Sequence, residues 1–506
     1  ALSDAILGAD WLNAWRIAAR LEAENPRDTT LVTWLIQRDM SVLIGLANLN
    51  PGEHPAHYQQ YNIFAGQQRR YQAALGKHSR AAQRTLLKLA AVAVIFYASY
   101  GLTNHLTAQR APVPEIIYDW ERAIPFLAWT IIPYWSLNLL YALGFFLAHT
   151  TREQHRYIAQ LLAAQAIAVC GFLLFPLQIS WAKPDGDGLF FALFRSLAAF
   201  DQAYNEAPSL HIILTLIVGR YYWPKLPRAL RLPWLLWCLL IGGSVLTTWQ
   251  HHFIDIPAAL AAGGLILWAL PWQGVSPLRG RITPTPRKRL AAALYLLAAI
   301  LCALPALWGG AWLWLLCASL ACLLVAAAYA RLGAAVWQKQ ANGQTTLAAR
   351  LLLWPLHFVA ALNRYLWLRH GRDHDAITPR LALGSNRAAP QFAAVVDTCA
   401  ELATPRPPAH YRSVPMLDMV APEAAELRQA AAAIDELLRA QSEPVLVCCA
   451  LGYGRSVAAV ITWLLQSGNC ADIDSALARV QQARPLARLP AETRAAIARA
   501  LTETAA

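Results

Sequence analysis

Long apolar segments dominate the middle of this chain and limit what it can fold into. Eight of them recur between residues 85 and 332, and each reaches most of a bilayer crossing once its flanks are counted. A hydrophobic content of 57% in 506 residues agrees with this pattern. We therefore predict a polytopic α-helical membrane protein. The predicted spans are 85–103, 124–148, 157–179, 209–223, 230–249, 253–272, 289–309 and 311–332.

The distribution of charge predicts the orientation of these spans. The net charge of +13 would suit a nucleic-acid-binding protein, but the basic residues form short clusters between apolar segments. These clusters occupy alternate connections, which the positive-inside rule places in the cytoplasm. We therefore expect no nucleic-acid partner and predict an inner (plasma) membrane location. The opposite loops, predicted to face the periplasm or outside, hold Glu115, Asp119, Glu121, Asp185, Asp187, Asp201 and Glu206.

Residues 1–80 are predicted to form a helical cytosolic or interfacial region, and the sequence does not indicate its role. Trp11, Leu12, Trp15, Ile17 and Leu21 have a loose amphipathic spacing. Asn25-Pro26 and Asn50-Pro51-Gly52 predict turns. The chain starts at Ala1 with no initiator methionine and no signal-peptide pattern, so we expect a truncated or processed chain.

Ionisable residues flank the fourth and fifth spans. His211 opens the fourth span and His251 follows the fifth, so an out-and-back path returns both to one membrane face. His251 and Asp255 are four residues apart, which stacks them on one face of a helix. A carboxylate there fixes the imidazole tautomer and prepares it for nucleophilic attack. The alternative is that these histidines lie at a lipid interface without a chemical role.

The motifs around these histidines resemble those of the type 2 phosphatidic acid phosphatase superfamily. Pro208-Ser209-Leu210-His211 resembles one family motif, and Ser244, His251 and Asp255 keep the spacing of the next. Leu210 replaces a glycine and Val245 replaces an arginine, which is more similar to the branch of inositol phosphorylceramide and sphingomyelin synthases.

That resemblance implies a fold and a mechanism. It implies a membrane core of about six helices over residues 85–275, with two additional transmembrane helices in 276–335. It implies that His251 attacks phosphorus, that Asp255 orients it, and that His211 protonates the leaving oxygen. Lys183 is predicted to contact phosphate, since Lys183-Pro184 occupies the region of the family's first basic motif.

Residues 346–370 are predicted to form an interfacial helix and linker. Trp354, Pro355 and Arg364 interrupt the apolar run Leu347–Leu368, which makes it a poor bilayer span. Tryptophan and arginine at the level of lipid headgroups suit a helix lying in the membrane surface.

Residues 375–506 are predicted to form a soluble α/β domain with its own reactive loop. A buried-strand pattern at Pro444–Cys448 precedes Cys449, and a helical pattern follows at Val457–Leu465. This order aims loop N–H groups and a helix N-terminus at one anion, which favours a nucleophilic thiolate at Cys449. Arg455 can bind two phosphoryl oxygens at once. The other predicted phosphate-binding residues are Ala450, Leu451, Gly452, Tyr453, Gly454 and Ser456.

This region resembles a dual-specificity protein phosphatase domain. Ile377–Ser385 and Ala394–Asp397 are similar to that family's opening strands. The resemblance implies that Asp418 is the general acid and that Ser456 assists departure of the thiolate. Cys448 stands where the family usually has histidine. This replacement is expected to raise the pKa of Cys449 or to permit a protective Cys448–Cys449 link under oxidation. A domain that binds phosphate without hydrolysing it, or an ordinary buried cysteine, are the alternatives.

Together these patterns predict a bifunctional membrane phosphatase acting on lipid phosphates. Its histidine site would face outward, and its cysteine phosphatase would lie in the cytoplasm. Both nucleophiles form covalent intermediates, so we expect no metal or other cofactor. One alternative is a phosphotransferase that passes a headgroup phosphate to an alcohol, with a regulatory C-terminal domain. A transporter or scaffold that senses phosphorylated lipids is another.

Overall fold

The computed structural model describes Ile17 and residues 29–49, 53–63, 65–110, 112–198 and 202–502. Apart from Ile17, the predicted amphipathic segment 11–21 lies outside the described residues, as do the turns at 25–26 and 50–52 and Asp201. The chain divides into two compact units, Ala1–Ala259 and Leu260–Ala506.

The described part of the first unit is mainly helical. Side-chain caps fix several helix starts: the Thr150 hydroxyl accepts from Glu153 N at 3.1 Å, and the Ser209 hydroxyl accepts from Ile212 N at 3.4 Å. Tyr157 and Tyr221 stack in the interior with ring centroids 4.4 Å apart. The helices are α1 (Thr29–Asn48), α2 (His54–Gln60), α3 (Ala65–Ala108), α4 (Ile131–Gly144), α5 (Thr151–Leu174), α6 (Leu189–Ala198), α7 (Leu210–Tyr222), α8 (Arg228–Thr247) and α9 (Asp255–Ala269), of which α9 continues into the second unit.

Five helices among the described residues are long and apolar enough to cross a membrane. They cover 80–108, 151–174, 228–247, 286–308 and 310–337, and each overlaps one predicted span. The other three predicted spans contain shorter helices: α4 and α9 have 14 and 15 residues and are shorter than the predicted 124–148 and 253–272, whereas α7, with 13 residues, agrees with the predicted 209–223. A crossing needs about 20 residues. At 124–130 and 253–254 the apolar pattern continues although the backbone is not α-helical, and apolarity alone cannot reveal this.

The second unit contains a helical hairpin, residues 286–337. Its arms are α10 (Pro286–Ala303) and α11 (Leu315–Ala327). A π-helical turn, Ala328–Leu332, and a 3-10 turn, Gly333–Trp337, extend α11. The Ser319 hydroxyl donates to the Ala299 carbonyl at 2.8 Å, which ties the arms together. Large apolar side chains remain exposed on this hairpin, among them Leu290, Leu294, Leu297, Leu301, Leu307 and Trp308.

Helix α12 (Leu347–Leu368) has two apolar sides, only one of which is covered. Leu352 and Leu353 are buried, whereas Trp354, Phe358, Leu362 and Tyr365 are exposed. The spacing of these four residues places them on one side of the helix, which we call the apolar face of α12. The helix begins and ends where the interfacial helix was predicted.

A five-stranded sheet forms the centre of the α/β domain. The strands are β1 (His374–Thr378), β2 (Leu381–Ser385), β3 (Ala394–Cys399), β4 (His410–Met416) and β5 (Val445–Cys449), in the order β1-β2-β5-β3-β4. Strand β1 is antiparallel to β2, and the other pairs are parallel. The helices are α13 (Ala424–Ala440), α14 (Arg455–Gln466), α15 (Ile473–Ala483) and α16 (Ala491–Thr502). The predicted strand, loop and helix around Cys449 are confirmed.

A buried ion pair joins the end of the hairpin to this sheet. Lys339 Nζ lies 2.6 Å from Asp397 Oδ2, and both side chains are fully buried. The same ammonium donates to the carbonyl oxygens of Cys399 and Leu402 at 2.8 and 2.7 Å. Tyr411 donates to the same carboxylate oxygen at 2.8 Å. The charges are therefore well compensated, which a buried pair requires.

Removing one member of this pair should destabilise the second unit. Lys339→Met leaves the Asp397 carboxylate buried without its cation, so we expect a loss of about 3 kcal/mol in unfolding free energy. Thermal unfolding of the full chain in detergent measures this loss. Arg372→Met is the control, because the Arg372 side chain is 86% exposed in its ion pair. Equal midpoints for the two variants would contradict the prediction.

Candidate active sites

A buried cluster of one histidine and two carboxylates lies in the first unit. His251 Nδ1 is 3.2 Å from Asp255 Oδ2 and 3.4 Å from Glu206 Oε2. Asp255 Oδ2 also accepts from His252 N at 3.1 Å. The Val245 carbonyl accepts from His251 N at 3.1 Å, so the backbone of α8 holds the residue in place. Because both carboxylates face Nδ1, the Nε2 atom is the ring nitrogen placed for attack.

The carboxylates set the protonation of this cluster. Burial disfavours a charged imidazole, but the hydrogen bonds and charges of Asp255 and Glu206 outweigh it and raise the pKa of His251 to about 10. Burial raises the pKa of the Glu206 carboxyl above its usual range. The resting cluster therefore holds a proton that must leave before the imidazole can act as a nucleophile.

The sequence-predicted partner His211 lies on the first turn of α7. Its ring stacks on Tyr134 with centroids 3.8 Å apart, and its buried Nε2 has no hydrogen-bond partner. Ser209 N donates to the Asp255 carbonyl at 3.4 Å, which connects the two predicted motifs. Lys183 lies on an exposed segment, and its contact with phosphate stays a prediction.

Two acidic residues have a role that sequence reasoning missed. The charge pattern places Glu206 and Glu121 in outward loops, but both side chains are buried. Glu121 accepts from Phe253 N at 2.7 Å and lies 3.5 Å from His252 Nδ1, while His252 Nε2 accepts from Ser180 N at 3.1 Å. His252 is thus fixed structurally beside His251. A buried glutamate near a histidine motif leaves no local signal in a single sequence.

Glu206, His251 and Asp255 could also hold a metal ion. One ligand atom from each lies within 4.8 Å of the others, and imidazole with two carboxylates is a common donor set. The hydrogen bond between His251 and Asp255 accounts for the same geometry without a metal.

The second site is the loop Cys449–Ser456, which connects β5 to α14. Gly452 N and the Ser456 hydroxyl donate to Cys449 Sγ at 3.2 and 3.3 Å. Gly452 has a φ of +82°, and a Cβ there would lie 2.6 Å from the backbone of Gly384. Only glycine fits this close turn. The loop therefore directs the Gly452 N–H at the sulfur, close to the N-terminal end of α14.

Arg455 is held by a carboxylate that the sequence did not reveal. Its two terminal nitrogens donate to the two oxygens of Glu401 at 2.6 Å each, and one also donates to the Met416 carbonyl at 3.0 Å. Burial opposes the Glu401 carboxylate, but the Arg455 guanidinium outweighs it and holds the pKa of Glu401 well below its usual range. Arg455 Nε lies 3.3 Å from Asp418 Oδ1. The predicted cation and the predicted general acid are thus together.

A second arginine supports the loop from behind. Arg484 is buried and donates to the carbonyls of Gly452 and Leu451 at 2.9 and 2.8 Å. It also donates to Asp375 at 2.7 Å. Because a planar trans peptide places its N–H opposite its carbonyl, the N–H groups of Gly452 and Tyr453 point away from Arg484, and that of Gly452 donates to Cys449 Sγ. Sequence reasoning missed Arg484, since it lies 29 residues after Arg455 on another element.

Residues 385–494 match the family model of the dual specificity phosphatase catalytic domain. The second unit therefore carries a dual-specificity phosphatase domain. This match and the cysteine-centred loop support activity as a phosphoric monoester hydrolase. The match does not extend to the histidine cluster, whose resemblance to type 2 phosphatidic acid phosphatases stays a prediction.

Solved structures similar to the chain include human DUSP28, at 23% identity and a TM-score of 0.25, covering 27% of this chain and 97% of that one. The human tyrosine phosphatase-like serine/threonine/tyrosine-interacting protein is 20% identical with a TM-score of 0.24, covering 27% and 100%. PTPMT1 in complex with PI(5)P is 16% identical with a TM-score of 0.22, covering 27% and 100%. No curated protein matches the chain.

Cys448 of the phosphatase domain lies on the other side of the sheet from the loop. Adjacent strand residues point to opposite faces, and Cys448 packs with Ala382, Val395 and Tyr411. Burial raises the pKa of Cys448 well above its usual range, so it is a neutral core thiol. Both Cys448 and Cys449 are free thiols in this structure. The Cys448–Cys449 link that the sequence allows under oxidation stays a prediction.

Glu401→Gln should weaken phosphate binding in the phosphatase domain. The substitution removes one charged acceptor and leaves Arg455 less firmly oriented, so we expect the inhibition constant of inorganic phosphate to rise about tenfold. Steady-state inhibition with an aryl phosphate substrate measures it. Glu436→Gln is the matched control, because Glu436 pairs with Arg412 on the surface. An unchanged constant in Glu401→Gln would show that Arg455 does not depend on Glu401.

Proposed function

We propose that the phosphatase domain removes a phosphate monoester from a membrane lipid. The observation that carries this proposal is a cavity of about 150 Å³ lined by Asp418, Gly454, Arg455 and Arg287. Arg287 lies in the first turn of α10, the start of an apolar helix long enough to cross a bilayer. A lipid headgroup at the membrane surface would thus meet the catalytic loop beside a cationic side chain.

Residues of the cavity and of the loop Cys449–Ser456 divide the reaction between them. Cys449 Sγ attacks phosphorus, so that an S–P bond forms while the bond to the lipid alcohol oxygen breaks. Asp418 gives its proton to that oxygen, and Arg455 binds the remaining phosphoryl oxygens. Water then attacks phosphorus and gives a proton to the Asp418 carboxylate as the S–P bond breaks, and the Ser456 hydroxyl stabilises the returning thiolate through its 3.3 Å contact.

We further propose phosphoryl transfer at His251 in the first unit. The supporting observation is the placement of Nδ1 between Asp255 and Glu206, which leaves Nε2 to attack phosphorus. An N–P bond would form as the bond to the leaving oxygen breaks, and that oxygen would take a proton from His211. Transfer to an alcohol rather than to water is the competing outcome. The alternation of basic and acidic loops in the sequence supports an outward-facing histidine site and a cytoplasmic phosphatase at the inner membrane, provided that the shorter helices α4, α7 and α9 count as crossings together with their flanking residues.

The apolar face of α12 should be needed for lipid substrates only. We expect Phe358→Ser with Trp354→Ser to lower turnover of a phospholipid monoester in vesicles by about tenfold, because two apolar side chains lose their membrane contact. Turnover of soluble aryl phosphate should stay unchanged. Leu486→Ser, at an exposed leucine of the phosphatase domain, is the control. Equal losses of turnover on both substrates would contradict membrane docking through α12. Deleting Leu347–Leu368 tests the same point, and equal losses on both substrates would contradict docking there too.

The His251 reaction should accelerate with rising pH. Since the raised pKa keeps the imidazole protonated, its nucleophilic fraction grows through the range from about pH 7 to 9. Glu206→Gln removes one carboxylate, lowers the pKa of His251 and should move this rising limb to lower pH. Phosphate release in a Cys449→Ser background, with and without an alcohol acceptor, separates hydrolysis from transfer. If the rising limb of the pH–rate profile stays at the same pH in Glu206→Gln, the assignment of His251 as the nucleophile is refuted.

A further inference from the structure

The helical hairpin contacts the segment that carries the proposed general acid. The Tyr329 hydroxyl, on the π-helical turn at the end of α11, donates to the Asp418 carbonyl at 2.9 Å. Tyr329 is itself buried, and its ring stacks on Tyr295 of α10 with centroids 5.6 Å apart. One arm of the hairpin therefore carries the Tyr329 side chain, and the other arm packs against its ring and fixes its position.

The other end of the same segment is held as well. Glu423 follows Asp418 by five residues and precedes α13. Its carboxylate accepts from Lys288 Nζ at 2.5 Å, from Thr283 N at 3.1 Å and from the Thr283 hydroxyl at 2.9 Å. Lys288 is buried on the first turn of α10. Residues 418–423 are thus fastened at both ends to the hairpin or its approach.

These contacts come from outside the matched catalytic domain. The family match begins at residue 385, whereas Thr283, Lys288 and Tyr329 precede it by 56 residues or more. The side chain of Asp418 is half exposed, and the ion pair that fixes it is the 3.3 Å contact with Arg455. The backbone contact from Tyr329 therefore restrains a residue that its own domain holds loosely.

We propose that the hairpin is a working part of the phosphatase and that Tyr329 is a positioning residue for Asp418. The Tyr329 hydroxyl acts through the Asp418 backbone, and the Lys288–Glu423 pair holds the far end of the segment. This inference rests on the proposed role of Asp418 as proton donor. The substrate reacts while the hairpin holds the acid at the leaving oxygen.

Leaving-group dependence tests this proposal in the full chain. Protonation matters for a poor leaving group such as an alkoxide, and it matters little for nitrophenolate. Tyr329→Phe should lower kcat/KM for an alkyl phosphate by about tenfold, as expected for a small displacement of a catalytic group. With p-nitrophenyl phosphate it should stay within about twofold of wild type. Tyr295→Phe is the control, since it removes a hydroxyl from the facing ring.

The remaining variants separate positioning from damage. Glu423→Gln loosens the other end and should show the same selective loss when both substrates are assayed well below the thermal unfolding midpoint of the variant, which the loss of the Lys288 ion pair is expected to lower. A uniform loss on both substrates in Tyr329→Phe, or no loss on either, overturns the proposal. Asp418→Asn should show the same selectivity more strongly. If it affects both substrates equally, Asp418 is not the acid, and the proposed mechanism and this inference fail together.

Discussion

The phosphatase domain depends on one buried guanidinium, that of Arg455, which must stay charged and keep its orientation toward the phosphate site. Taking Arg455 out of water is costly, and the two short bonds from Glu401 supply the compensation that a buried cation needs. Glu401 lies on the segment after β3, whose carbonyls at Cys399 and Leu402 accept from Lys339. The orientation of Arg455 thus depends on Glu401, and the position of Glu401 depends in turn on Lys339 at the end of the hairpin.

The histidine cluster of the first unit follows the same physical rule. Asp255 and Glu206 compensate a protonated His251 where water is excluded, as Glu401 compensates Arg455. The two sites differ in the protonation state that the reaction requires. Arg455 must stay charged to bind phosphate, while His251 must lose its proton to attack. The carboxylates that stabilise the resting cluster therefore also set the pH at which it reacts.

Local patterns predicted the parts of both sites that are local in sequence. Cys449, Gly452, Arg455 and Ser456 belong to one loop between a strand and a helix, and each lies where that pattern predicted. Within the described part of the chain, apolar runs also located the five helices that are long and apolar enough to cross a bilayer, but they overestimated the lengths of α4 and α9. Apolarity reports burial or lipid contact, and it continues through turns that end a helix.

The residues that sequence reasoning missed act from a distance. Glu401 precedes Arg455 by 54 residues, Arg484 follows it by 29, and Glu206 precedes His251 by 45. Nothing in the residues around them separates these side chains from surface charges. Their role appears only when the fold removes them from water and leaves a single partner. Tyr329 is a stronger case, because its partner is a backbone carbonyl that no sequence motif records.

Trapping of the phosphoenzyme tests the central claim most directly. The full chain in vesicles would be mixed with a lipid monoester carrying labelled phosphate, quenched within one turnover and mapped by peptide. A phosphoryl group on Cys449, absent from Cys449→Ser, is the predicted result. Turnover of the lipid without label at Cys449 would contradict a cysteine phosphatase acting on membrane lipid.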